Sequence, residues 1–147
     1  MREIKFRGQR KDNKEWVYGS LLLSWHMAWI KNKDDITTNP RLICQEYADF
    51  RCLEVIPETV GQFTGILDKN GKEVYEGDIV KAVETWSEIE IKEYVFSVEW
   101  DRCCAILKRT NPKQIFDFLE FMDDEDCIPT TIEVIGNIHD NPELVKE

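Results

Sequence analysis

Gly65-Ile66-Leu67-Asp68-Lys69-Asn70-Gly71-Lys72-Glu73-Val74-Tyr75-Glu76-Gly77-Asp78-Ile79-Val80 is the stretch that decides the fold. Two short apolar runs, Ile66-Leu67 and Val74-Tyr75, flank a polar pentapeptide that contains Asn70-Gly71. Asn-Gly in that setting is the strongest short-range hairpin signal, because both residues accept the positive φ that a type I′ turn demands. Glu76-Gly77-Asp78 then turns the chain again, into Ile79-Val80. Alternating short strands and tight turns predict an antiparallel all-β protein.

The same pattern extends in both directions. Ile4 and Phe6 alternate with Lys5 and Arg7, the period of a strand with one wet face. Gly8 to Lys14 reads as a polar loop, followed by a strand through Trp16, Tyr18 and Leu22. Asn39-Pro40 closes a charged surface loop that starts at Lys31, and Val55-Ile56-Pro57 ends a further element. Ile89 and Ile91 have the opposite parity to Tyr94, Phe96, Val98 and Trp100, which predicts a turn or bulge near Lys92-Glu93. Asn111-Pro112-Lys113-Gln114 carries a cap, a first-turn proline and a capping-box glutamine. Ile115, Phe118, Leu119 and Met122 follow at helical spacing and predict one short helix over about 112–122. A last strand over 130–138 and a turn at Asn141-Pro142 complete the chain. The expectation is a single domain over 1–147, mostly β, built as a barrel or as coiled antiparallel sheets.

Composition bounds the functions. Hydrophobic residues make up 42% and charged residues 33% of 147, the profile of a globular domain with a core. No apolar run reaches the ~20 residues of a membrane-spanning helix, and Met1-Arg2-Glu3-Ile4-Lys5 lacks the apolar stretch of a signal peptide, so a cytoplasmic location is expected. Cys44, Cys52, Cys103, Cys104 and Cys127 are odd in number and contain no Cys-x-x-Cys, which argues against a disulfide framework and a metal site. The net charge is −10, yet residues 1–20 carry +3 and residues 114–147 carry −9. Such a chain repels polyphosphate unless its amino-terminal face acts alone, and its two ends suit each other within or between copies.

Chemistry-bearing motifs are few. Gly65 to Lys72 imitates a phosphate loop, but five residues separate the glycines where four are needed, and Glu73 stands where Ser or Thr would hold magnesium. Asp123 to Asp126 lacks the alternating ligands and central glycine of a calcium loop. Cys103-Cys104 with His139-Asp140 is the material for a thiol nucleophile, but no base is visible at activating distance, and adjacent strand cysteines face opposite ways. Arg7, Arg10, Lys11, Trp16 and Tyr18 form a candidate interaction surface, and with Lys14, Trp25 and Trp29 a stacking surface for single-stranded nucleic acid, although aromatic residues on strands more often pack in cores. Asn70, Gly71, Gly77 and Asp78 are assigned to structural turns.

Five strings of this chain also carry a family resemblance: Met1-Arg2-Glu3-Ile4-Lys5-Phe6-Arg7-Gly8, Trp16-Val17-Tyr18-Gly19, Val60-Gly61-Gln62-Phe63-Thr64-Gly65, the hairpin stretch itself, and Glu133-Val134-Ile135-Gly136-Asn137-Ile138. In that order and spacing the chain resembles the YopX family of phage and prophage proteins. The resemblance covers both ends and about residues 55 to 80. It implies a mostly β protein encoded in a mobile genetic element and brings no catalytic residues to carry over. The functional expectation is a non-enzymatic accessory protein, without cofactor or metal, that self-associates or binds a host or phage protein. The alternative is a small nucleic-acid-binding barrel using the basic amino-terminal face.

Overall fold

The structure, a computed structural model, describes residues 3–24, 27–31, 52–85, 91–101, 104–109, 114–117 and 131–145. Eleven strands are present among them: β1 (Phe6–Gln9), β2 (Trp16–Ser24), β3 (Met27–Lys31), β4 (Cys52–Val55), β5 (Gly61–Leu67), β6 (Glu73–Tyr75), β7 (Asp78–Thr85), β8 (Ile91–Asp101), β9 (Cys104–Arg109), β10 (Gln114–Asp117) and β11 (Thr131–Asn137). Hydrogen bonding joins them into a six-stranded sheet, β4-β3-β2-β1-β5-β6, and a five-stranded sheet, β10-β9-β8-β7-β11. The protein is therefore all-β, as the alternating pattern predicts. Short 3-10 turns at Pro57–Thr59 and Pro142–Val145 are the helical elements among the described residues.

Two compact units divide the chain, at 1–63 and 64–147. In the first, Ala28, Ile30 and Val55 are buried, with Phe6, Val17, Leu21 and Val60 packed on them. Gly8 belongs to this core, because a Cβ there would stand 3.1 Å from Val55 Cβ. The sheet curls until the end of β1 reaches β4: Arg10 bridges Val55, Ile56 N donates to Gln9 O at 2.9 Å, and Lys11 N donates to Glu54 O at 3.0 Å. A single bridge is not a ladder, so of the two expected forms the described residues take the coiled antiparallel sheets and not a closed barrel.

The second unit has the larger core: Val74, Val80, Ala82, Phe96, Val98, Ala105, Leu107 and Ile132. Its centre is the β7–β8 hairpin, where Val80 faces Phe96 and Ala82 faces Tyr94. The pairing continues unbroken to Thr85↔Ile91, so the bulge expected near Lys92-Glu93 is absent. The hairpin's described core residues stop at Ala82 and Tyr94, and parity constrains a strand only while one face is buried.

The helix expected over about 112–122 is also corrected. Gln114–Asp117 is strand β10, in register with β9 from Gln114↔Arg109 to Asp117↔Ile106. Residues 111–113 and 118–122 of that expectation lie outside the described residues. Capping signals are local and weak, whereas β9 offers a full row of backbone donors and acceptors, and Gln-Ile-Phe-Asp alternates as a strand requires.

The hairpin at Asn70-Gly71 forms, by a different turn. Gly71 has φ +79°, whereas Asn70 does not adopt positive φ, which removes the type I′ assignment. Gly71 N donates to Asp68 O at 2.9 Å and Asp68 N to Lys72 O at 2.8 Å, giving a three-residue loop with its left-handed residue last. Gly77 (φ +80°) makes the second turn, with Tyr75 N donating to the buried Asp78 carboxylate at 2.8 Å.

Candidate interaction surface

The β1–β2 register sorts the amino-terminal side chains between two faces. Phe6, Val17 and Leu21 point to the core of the first unit, while Arg7 lies opposite Tyr18, and Gln9 opposite Trp16, on the other face. Arg7 is thereby diagonal to Trp16, and its guanidinium sits 4.7 Å from the indole ring, a cation–π stack on a residue only 5% exposed. Lys5 Nζ lies 5.9 Å from the Tyr18 ring. Trp16 and Tyr18 are thus outside the core cluster, contrary to the usual placing of strand aromatics, and Tyr18 is exposed.

The remaining predicted cations are held locally. Arg10 binds both carboxylate oxygens of Asp12, with Nε 2.9 Å from Oδ1, and lies 3.7 Å from Glu15. That hydrogen bond holds the Asp12 carboxyl below its ordinary range. Lys11 Nζ is 2.7 Å from Glu54 Oε1 across the β1–β4 closure. The five predicted residues therefore share one end of one sheet, but Arg10 and Lys11 there sit within hydrogen-bond distance of carboxylates.

What this face does present is apolar. Tyr18, Leu22 and Met27 are exposed, and half-buried Trp29 pairs directly with Leu22 across β2–β3. Met27 and Trp29 alternate with the buried Ala28 and Ile30, so the β3 residues that miss the core gather on the opposite face. Trp29 belongs to the surface expected from the sequence, whereas Trp25 lies outside the described residues. Leu22 and Met27 are additions, hidden in the sequence because β2 is apolar in both parities. The signal that could have found them is the alternation of β3 itself.

Other reactive groups are dispersed. Cys52 on β4 faces Lys31 across β3, and burial raises its thiol pKa against the lowering effect of that lysine. Cys104 on β9 is half-buried, with Sγ 3.7 Å from Asp101 O; Cys103 lies outside the described residues. His139 is exposed in a turn where its own N–H and that of Asp140 donate to Asn137 Oδ1. Among the described residues no group of three His, Cys, Asp or Glu side chains could hold a metal ion, and no helix is long and apolar enough to cross a membrane.

An all-β chain of two antiparallel sheets, with an apolar outer face on β2 and β3, is the class these observations define. The chain belongs to the YopX family, whose model, described as YopX protein, matches residues 5–146. It is similar over 99% of its length to the whole of protein EF1440 from Enterococcus faecalis, whose crystal structure shares 20% identity at a TM-score of 0.53, a likeness of fold alone. No curated protein matches it.

Proposed function

We propose that this protein is a non-enzymatic interaction module of phage or prophage origin, working without a cofactor in the bacterial cytoplasm, that associates with itself or with a host or phage protein. The observation that carries this reading is the outer face of β2 and β3. Tyr18, Leu22 and Met27 are 42%, 46% and 48% exposed on it, with Trp29 beside Leu22. Aromatic residues and methionine are enriched in interface cores, and apolar area gains roughly 25 cal/mol per Å² when it leaves water. Lys31 and Glu54, neighbours of this cluster in the β3–β4 ladder, supply a charged rim. The +3 and −9 ends would steer an encounter without providing most of its affinity.

Light scattering over a dilution series tests the reading. A mass above that of one chain at tens of micromolar, persisting in moderate salt and lost in Leu22→Asp, supports self-association. A strictly monomeric mass removes self-association and leaves a heterologous partner. Nucleic acid is the competing occupant, and the carboxylates around Arg10 and Lys11 weigh against it. Fluorescence anisotropy with short oligonucleotides at about 0.15 M salt checks this. Salt-sensitive binding that vanishes on neutralising Arg7, Arg10 and Lys11 would replace the proposal with that alternative.

A further inference from the structure

Asn70 combines a reactive sequence with a geometry that restrains it. Asn70-Gly71 is the one Asn-Gly in the chain; the other asparagines precede lysine, proline or isoleucine. Proline has no N–H to act as nucleophile, and a side chain on the following residue obstructs ring closure. Gly71 has no such obstruction, and the space around its missing Cβ is empty to 4 Å. Both residues are exposed.

Three contacts oppose the reaction while the hairpin is closed. Gly71 N, the nucleophile, donates its proton to Asp68 O at 2.9 Å. Asn70 N donates to Asp68 Oδ1 at 2.8 Å, and Asn70 Nδ2 leans toward Glu133 Oε1 at 3.5 Å. The loop is fastened to β11 by Lys69 N on Ile132 O at 2.9 Å, by Val134 N on Asp68 Oδ2 at 3.1 Å and by the Lys69–Glu133 ion pair at 2.7 Å.

We propose that Asn70 is a site of spontaneous deamidation whose rate is set by the fastening of the β5–β6 hairpin to β11. In the opened loop, hydroxide removes the Gly71 amide proton, and the nitrogen attacks Asn70 Cγ. The new N–C bond closes a succinimide as the side-chain nitrogen leaves as ammonia. Water then opens either carbonyl, giving aspartate or isoaspartate. The product carboxylate faces Glu133 in place of an N–H donor, and isoaspartate lengthens the backbone inside a three-residue loop. Both outcomes loosen the edge of β11.

The full chain and a peptide spanning Leu67 to Val74 would be incubated together in mildly alkaline buffer and mapped by mass spectrometry. Asn70 should convert before any other asparagine, at least about tenfold more slowly than in the peptide. Lys69→Ala, which leaves Asn-Gly intact, should narrow that gap several-fold. The Asn70→Asp variant should show faster exchange of the Val134 amide than the unmodified chain. Conversion of a different asparagine first, or none at Asn70, would overturn the site. A rate equal to the peptide's, or one indifferent to Lys69→Ala, would overturn control by the fastening.

Discussion

The β1–β2 turn and the β5–β6 turn do the same work with opposite chemistry. Each reverses a strand and each contains one residue with positive φ: Lys14 at +63° in the first, Gly71 at +79° in the second. The first is tied by exposed side chains, Arg10 with Asp12 and Glu15, and Asn13 with Glu15. The second is organised by Asp68, 6% exposed, whose carboxylate accepts from Asn70 N, Lys72 N and Val134 N. Charges in water repay little of their ordering, whereas a buried carboxylate surrounded by backbone donors is hard to replace. The turn with the strong sequence signal is therefore also the one that matters to the fold.

That contrast breaks first at Asp68. Asp68→Asn would set an N–H₂ against at least one of the three backbone donors, at a cost of on the order of 2–3 kcal/mol, read as a lower urea midpoint. Burial pushes the Asp68 carboxyl up, but the N–H groups of Lys72, Val134 and Asn70, with the Lys72 charge, bring it below its ordinary range. A folded value below the unfolded one, about 3.9, stabilises the protein above that pH and is lost as pH falls through the folded value. Acid titration of stability should consequently be shallower below about pH 4 in Asp68→Asn than in the unaltered chain. Equal acid limbs would show that the clasp does not depend on charge.

Gly71→Val comes next, at about 1–2 kcal/mol. A Cβ at Gly71 meets nothing within 4 Å, so the loss is one of backbone conformation alone. Gly71→Asn should recover much of it, because asparagine tolerates left-handed φ; equal damage from both would point to crowding instead.

In the first turn the sign reverses. Lys14→Gly relieves a left-handed lysine at the expense of a freer unfolded chain, for a net gain of about 0.5 kcal/mol in thermal denaturation. Asp12→Asn, smallest of all, should leave the midpoint unmoved, since its partner Arg10 sits at the surface and keeps Glu15 nearby.

Legibility in the sequence followed the range of the interaction. The last strand, Thr131–Asn137, and turns at Gly71 and Gly77 depend on neighbours a few residues apart and are readable as such. The first strand is shifted: Gly8 and Gln9, expected in a loop, belong to β1 because they pair with Val17 and Trp16, and Ile4 lies outside it. Gln114–Asp117 was not readable in this way, because its helix signals were outweighed by the free edge of β9, a partner that appears only once the sheet exists. The faces of β2 were equally hidden. Val17 and Leu21 against Trp16, Tyr18 and Leu22 give two apolar parities, and only the placing of Ile30 and Val55 makes the first of them the core.

By itself the sequence determined an all-β chain, its hairpin at Asn70-Gly71 and its family, because strand period, turn dihedrals and string order are local properties of the residues. Tertiary structure alone decided that Arg7 stacks on Trp16 instead of meeting solvent, that Asp68 reaches across to Val134, and that Leu22 and Trp29 share an outer face. Those are contacts between residues far apart in the chain or across a strand pair. Their partners are chosen by register and curl, which no local pattern encodes.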